Sequence, residues 1–504
     1  RLMTAKPRCI RCGRRGRRRC PALGGWVCPT CCATGRGSEI ACAADCPYFP
    51  FATVTYDQWL ALDRTWMPKA ARYVADHLGK STLRTLMAEF AFDPDADEEE
   101  AFDTGFGLAV EHALFRMPDQ EGKTLADRWE AEGWRGMTHD ERVMTRYRRR
   151  SFPTVIEVQR VLSDHSLECI DALEGDPTPF VLFDRNTAAR ALRFDQFLVW
   201  VCHYPHYSRV GPTGVEIPRR IAGDFARELR HRASEAGAAA PKEYLLSHYA
   251  ECCRLVTEVC QAQYQSVMRE TDARQFTSVY DIPGGRDAVA AVLDGKPDFE
   301  PQDREPEADD PPGTHYYVWL QRGESRALDD EPRAGIAFKS FVEGVATVGS
   351  VKLLPDRLVV EAFTLRKHRF AKSMIERHFG DLVSLRDETV VDLWKRVAER
   401  RRATGSRQTE DRPADDRGSR VPIEVERELV GRMYQDHYTE FLDDPVPALE
   451  GMTPREAARD PAMRPRLIEL MKLHVHQVEE VSRRKGVDLR IGWVLEELGL
   501  TELL

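Results

Sequence analysis

This 504-residue chain has no long apolar run; its longest, such as the one around Phe197 to Cys202, end after a few residues. A bilayer-crossing helix needs roughly 20 predominantly apolar residues, so none is expected, and no apolar leader core opens the sequence. The first fifty residues contain no histidine and almost nothing able to form a hydrophobic core. The missing histidine argues against a catalytic zinc, which keeps an open position and usually recruits His or carboxylate. The missing core means that something other than packing holds this segment. Nowhere does the chain carry a Ser/His/Asp arrangement, a phosphate-cradling glycine loop or a helix with paired histidines, so no enzyme class is legible in it.

What the first fifty residues do have is thiols. Eight of the 13 cysteines fall there, as Cys9-x2-Cys12, Cys20, Cys28-x2-Cys31-Cys32 and Cys42-x3-Cys46. Pairs of thiolates a few residues apart reach one tetrahedral Zn²⁺, and the spacing reads as a structural zinc finger. Four ligands close one site and eight close two. Cys9, Cys12, Cys28 and Cys31 are the better-defined set, while Cys20, Cys32, Cys42 and Cys46 could form a second. Adjacent Cys31 and Cys32 leave the partition, and hence one or two ions, open. An iron–sulfur cluster and free thiols are the alternatives. The remaining cysteines (Cys169, Cys202, Cys252, Cys253, Cys260) are scattered through apolar or amphipathic segments. That is no disulfide framework, and a soluble protein of the reducing cytoplasm is the expectation.

Charge is divided along the chain. Ten Lys or Arg against Glu39 and Asp45 give residues 1–50 a net +8, so a total of −9 leaves −17 for the remainder. Arg14, Arg15, Arg17, Arg18 and Arg19 form a cationic tip suited to phosphates, each contact releasing a counterion. A solubilising loop, or a basic patch docked on the chain's own acidic surface, accounts for the same run.

Downstream, 42% hydrophobic and 31% charged residues are an ordinary globular balance, so sizeable cores can form. Residues 51–150 read as helical, with Leu60, Leu62, Trp66, Ala70, Tyr73, Val74, Leu78, Leu83 and Leu86 as a core face. Asp93 to Asp103 reads as a solvated linker or helix start. Short β-type runs at Val155–Val161, Leu167–Ala172, Phe180–Phe183 and Phe197–Cys202 predict a small antiparallel barrel or sheet over 151–215. His203-Tyr204-Pro205-His206-Tyr207 reads as a turn with packed rings, since Pro205 disfavours a regular helix presenting both histidines. Residues 216–295 read as helical and 296–313, rich in Pro, Asp and Glu, as an acidic linker and domain boundary. An α+β module over 314–402 begins with strands near Tyr316–Leu320 and Ile336–Phe341, and a second linker spans 403–420. Residues 421–504 form a C-terminal helical domain in which Thr453, Pro454 and Glu456 have capping-box spacing. His474 and His476, two residues apart, point to different helix faces. The expected fold is thus multidomain α+β.

Two blocks carry a resemblance. Trp26-Val27-Cys28-Pro29-Thr30-Cys31-Cys32, with Glu39-Ile40-Ala41-Cys42 and Cys46-Pro47-Tyr48-Phe49, resembles the cysteine-rich start of large, uncharacterised bacterial proteins. Pro447-Ala448-Leu449-Glu450-Gly451-Met452-Thr453-Pro454-Arg455-Glu456-Ala457-Ala458 resembles a C-terminal block of proteins labelled SEC-C, or zinc-chelating SecA-like, and Phe180 to Arg209 is faintly similar to their middle. This chain departs from them in lacking a terminal cysteine motif, its last cysteine being Cys260. The resemblance implies a bacterial family and no catalytic residue. The C-terminal block is also similar to the partner-binding ends of some toxin-neutralising proteins, which implies a protein partner for that domain.

The sequence therefore predicts a zinc-binding scaffold or adaptor that touches nucleic acid or a nucleoprotein through its N-terminal finger. A protein–protein module without nucleic acid, and an enzyme whose site assembles around His203, His206 and the Pro218 region, are the other readings.

Overall fold

A computed structural model of the chain describes residues 7–90, 98–270, 274–302, 310–328, 341–342, 345–392, 434–435 and 437–504. The fold is mixed α+β and divides into two compact units, Arg1–Cys260 with Ile423–Leu504, and Gln261–Pro422. No described helix is long and apolar enough to cross a membrane.

The first unit opens with a hairpin, Arg18–Cys20 paired to Gly25–Val27, and a short helix, Pro29–Gly35. Helices Tyr56–Leu78, Lys80–Glu89, Glu98–Phe115, Leu125–Ala131 and His139–Arg148 follow. In the first of these Tyr56, Trp59, Trp66, Ala70 and Val74 are buried, whereas Leu60, Leu62, Tyr73 and Leu78 are only half-buried at its edge. The expected continuous helical stretch is broken at Gly79, whose φ of 80° belongs to the left-handed side open to glycine. Gly105 has a packing role: a Cβ there would lie 2.4 Å from the Met87 carbonyl oxygen, so the absent side chain lets two helices touch. Of the acidic run, residues 93–97 lie outside the described residues, and Glu98 begins a helix.

The β module is a closed barrel. Phe152–Ser163 pairs with Ser166–Asp171, which pairs with Phe180–Phe183; Ser208–Val210 and Gln196–His203 complete the ring back to the first strand. Phe180–Phe183 and Ser208–Val210 meet in parallel, the other pairs antiparallel. This is the Greek-key closure of an OB-type barrel, an architecture that hosts many functions and proves none. Alternation along the strands splits the two faces. Ile156, Val158, Leu167, Cys169, Leu182, Val199 and Val201 fill the interior, while Val155, Leu198, Trp200 and Cys202 join the core of the helices outside.

Helices Ala222–Glu235 and Pro241–Glu270 cover that core and bury Cys252 and Cys253. The C-terminal helices Pro454–Arg459, Arg464–Lys485 and Gly492–Glu497 build a second core that takes in Phe194 of the barrel. Thr453 and Glu456 form the reciprocal capping box, with Pro454 at the first helical position, as their spacing predicts.

His474 and His476 do diverge. His476 faces the barrel; the His474 ring lies 4.7 Å from that of Phe441 and its Nδ1 is 3.0 Å from the Tyr438 hydroxyl. Burial, and next the neighbouring His437, lower the His474 pKa to about 4. The unfolded chain then holds a proton that the folded chain lacks between about pH 6.5 and 4, so stability falls with pH across that window by on the order of 3 kcal/mol. Urea midpoints taken along this window should fall for the parent, while His474→Leu escapes that share of the loss; equal slopes would refute the assignment.

The second unit is an antiparallel sheet in the order Phe299–Gln302, His315–Leu320, Val345–Leu353, Arg357–Ala362, Arg274–Asp281, Ser384–Asp392, with Phe341–Val342 added to Val345–Leu353. Helices Arg286–Asp294 and Leu365–Phe379 contribute Val289, Leu293, Ala371 and Ile375 to its core. Two boundaries differ from expectation. Within the expected 296–313 linker, Phe299–Gln302 is a strand of this sheet, residues 303–309 lie outside the described residues, and the unit begins near Gln261. Residues 216–295 are not helical throughout, because Arg274–Asp281 is a strand with Phe276, Ser278 and Tyr280 buried in alternation. Most of the expected Ile336–Phe341 strand, the 403–420 linker and residues 423–433 lie outside the described residues.

Candidate metal centre

Two turns bring Cys9 and Cys12 together with Cys28 and Cys31. At Cys9–Cys12 the Gly13 amide donates to the Cys9 carbonyl (2.8 Å) and the Cys9 amide to the Arg14 carbonyl (2.6 Å), with Gly13 at φ 71°. At the second knuckle Cys28 caps the Pro29–Gly35 helix, its Sγ accepting from the Cys31 amide at 3.4 Å. The sulfurs of Cys9, Cys12, Cys28 and Cys31 all lie within 4.8 Å of one another, and Cys12 and Cys28 are 3.7 Å apart. A tetrahedron of Zn–S bonds of about 2.3 Å places its sulfurs about 3.8 Å apart, so these four are placed to hold one metal ion. Arg14 Nε donates to Cys12 Sγ at 3.4 Å, which draws that thiol down to about 6. Hydrogen bonds with Cys12 and then Cys28 push Cys31 the other way, to about 12.

Among the described residues this is the group whose ligand atoms all converge. Cys20, Cys32, Cys42 and Cys46 lie in one neighbourhood without reaching that closeness. Cys42 is pushed up to about 11, first by burial and then by the charges of Cys46, Cys32 and Cys20. His206 Nε2 sits 2.8 Å from the Cys42 carbonyl oxygen, tying the barrel to the finger, and Tyr204 stacks on Phe51 with ring centroids 5.2 Å apart. The His203–Tyr207 segment is thus a turn of packed rings.

The five arginines part company. Arg18 turns inward, its Nη1 3.3 Å from Cys32 Sγ and its guanidinium 4.1 Å above the Tyr48 ring. Arg14 is held at Cys12. Arg15, Arg17 and Arg19 are exposed and engage no side-chain partner among the described residues. Arg11 and Arg36 are committed to Glu39 and Asp140.

Sequence reading missed two polar assemblies in the first unit. A cavity of about 660 Å³ lies between the barrel and the Arg464–Lys485 helix, where His476 Nε2 meets Asp195 Oδ1 at 2.6 Å beside Glu216. Next to it Glu157, 2% exposed, accepts from Lys472 Nζ (2.7 Å), Gln196 Nε2 (2.7 Å) and Arg219 Nη1 (3.0 Å). His476 and Asp195 are 281 residues apart, too far for any local signal to pair them. His203 lines a separate cavity of about 240 Å³ with Asp171 and Glu174, where Lys242 occupies both carboxylates.

No family model matches the chain, nor does any curated protein or solved structure.

Proposed function

We propose that Cys9, Cys12, Cys28 and Cys31 hold a structural Zn²⁺, and that the finger shaped by it docks the protein onto nucleic acid through phosphate contacts. The supporting observation is that Arg15, Arg17 and Arg19 stand exposed and unengaged among the described residues, beside the converged thiols. All-sulfur ligation favours a closed structural site over a catalytic one, and the metal's role is to fix the hairpin that carries the arginines. A second ion on Cys20, Cys32, Cys42 and Cys46 belongs to the same reading, and elemental analysis giving two zinc atoms per chain would support it. The rest of the protein is then a scaffold made of the barrel with its helical cores and, as a unit of its own, the antiparallel sheet.

Arg15, Arg17 and Arg19 changed together to Ala should weaken binding of a labelled oligonucleotide and flatten the slope of log K against log salt by about 2 to 3. Anisotropy titrations at several salt concentrations measure this. An unchanged slope removes phosphate contact by these side chains, and retention of a nuclease-resistant protein partner would favour a protein-docking finger instead.

A further inference from the structure

The finger leaves a large ring where a coreless segment would be expected to hide one. Val27 is 1% exposed and packs with Cys9, Cys28 and Cys32, yet its neighbour Trp26 is 41% exposed and Ile10, next to ligand Cys9, is 55% exposed. Both are held in place from below. The Ile10 amide donates to the Trp26 carbonyl at 2.9 Å, and the Trp26 Cβ rests where a side chain on Gly16 would lie, 2.7 Å from its would-be Cβ. Tyr48, also exposed, is covered by Arg18, whereas Trp26 has no such cover among the described residues.

The hairpin register decides what lies beside that ring. Arg19 is directly opposite Trp26, so the two share a face while Arg18 takes the other, and Arg17, just before the strand, is exposed as well. The Arg19 side chain thus stands across from an exposed indole, and Arg17 adds a second exposed cation two residues away with no side-chain partner among the described residues. Each element has a separate chemical use: the cations meet a phosphate backbone, and the indole offers a π-face to a base. A base in a duplex has both faces taken by its neighbours; an unpaired base has a face to give.

From the exposed Trp26 and the arginines beside it we infer that the finger binds single-stranded nucleic acid, stacking an unpaired base on Trp26 with neighbouring phosphates held by Arg19 and Arg17. This rests on the nucleic-acid reading above and narrows it. The patch lies in the +8 segment of the chain, so its charge complements a polyanion, and the exposed indole opposite Arg19 fits a polyanion that carries bases.

The experiment titrates the full-length, metal-loaded protein with a labelled single strand of mixed sequence and with the duplex formed from it. Expected is tighter binding of the single strand, a roughly fivefold to 150-fold loss for Trp26→Ala on the single strand only, and substantial retention by Trp26→Phe. Zinc content equal to the parent's shows that a variant keeps its finger. Equal affinity for strand and duplex, or a Trp26→Ala protein that binds the strand like the parent, overturns the stacking inference. If the triple arginine variant still loses affinity in that case, the phosphate reading survives. Absence of binding to either nucleic acid by the parent removes both, and a nuclease-resistant protein partner lost in Trp26→Ala reassigns the platform to protein.

Discussion

Stripping the metal from the protein is expected to unfold the hairpin and first helix while the barrel and helical cores stay folded. The reason is how little else holds that segment. Its own buried cluster is Cys9, Val27, Cys28 and Cys32, one apolar side chain among thiols. Structural zinc contributes an apparent ~10–16 kcal/mol in isolated fingers, far more than burying Val27 could. From Arg36 onward the chain has other anchors: the Arg36 carbonyl is 2.9 Å from His139 Nε2, and Phe49 and Phe51 are built into the helical core. Trypsin should therefore cut the chelated protein rapidly at Arg14 to Arg19, while cleavage in the barrel and helical cores stays as slow as in the parent. Cys28→Ser should reproduce this and lower the zinc content, whereas Cys169→Ser, inside the barrel, should change neither readout. A chelated protein as resistant as the parent throughout residues 7–35 would mean that metal does not hold the finger.

Glu157→Ala should cost about 3–5 kcal/mol. Glu157 and the Arg219 side chain are 2% and 3% exposed, and Lys472 is 14% exposed. Burial pushes the Glu157 carboxyl up, but Lys472 and Arg219 outweigh it and hold the pKa below the ordinary value. Truncating the acid leaves two cations facing each other with their buried counter-charge gone, both retaining only the half-exposed Glu469 at the rim. Removing the charges together should be far milder: a Glu157→Leu, Arg219→Met, Lys472→Met chain is expected to come within about 1–2 kcal/mol of the parent, because desolvating the network offsets much of its attraction. Chemical denaturation of both proteins decides this. A single variant as stable as the parent would show that the network contributes little.

The sequence was most legible where chemistry is local. Thiol spacing predicted which four cysteines converge, because two short knuckles need no information from the rest of the chain. Alternation located four strands of the barrel, and Thr453 with Glu456 marked a helix start. Its closure was not legible, since pairing Phe152–Ser163 with Gln196–His203 depends on register between distant segments. Residues 296–313 misled by composition. Pro301 is tolerated because Phe299–Gln302 is the edge strand, and Asp298, 2% exposed, accepts from the Ser325 amide at 2.9 Å instead of facing water. Arg274–Asp281 did carry a period of two, in Phe276, Ser278 and Tyr280, too brief to stand out after a 30-residue helix. Nor could a run of five arginines reveal that Arg14 and Arg18 would turn to sulfur.

The first unit is completed by the last stretch of chain, with Gln261–Pro422 inserted between its two parts. On a ribosome adding about 5–20 residues per second, that insertion delays the closing helices by roughly 10–30 s. Throughout the wait Phe194 has no hydrophobic neighbours from the C-terminal segment, and Glu157 and Arg219 face water without Lys472 and Glu469. The nascent barrel is therefore an unfinished surface, and the final helices act as the lock that ends its exposure.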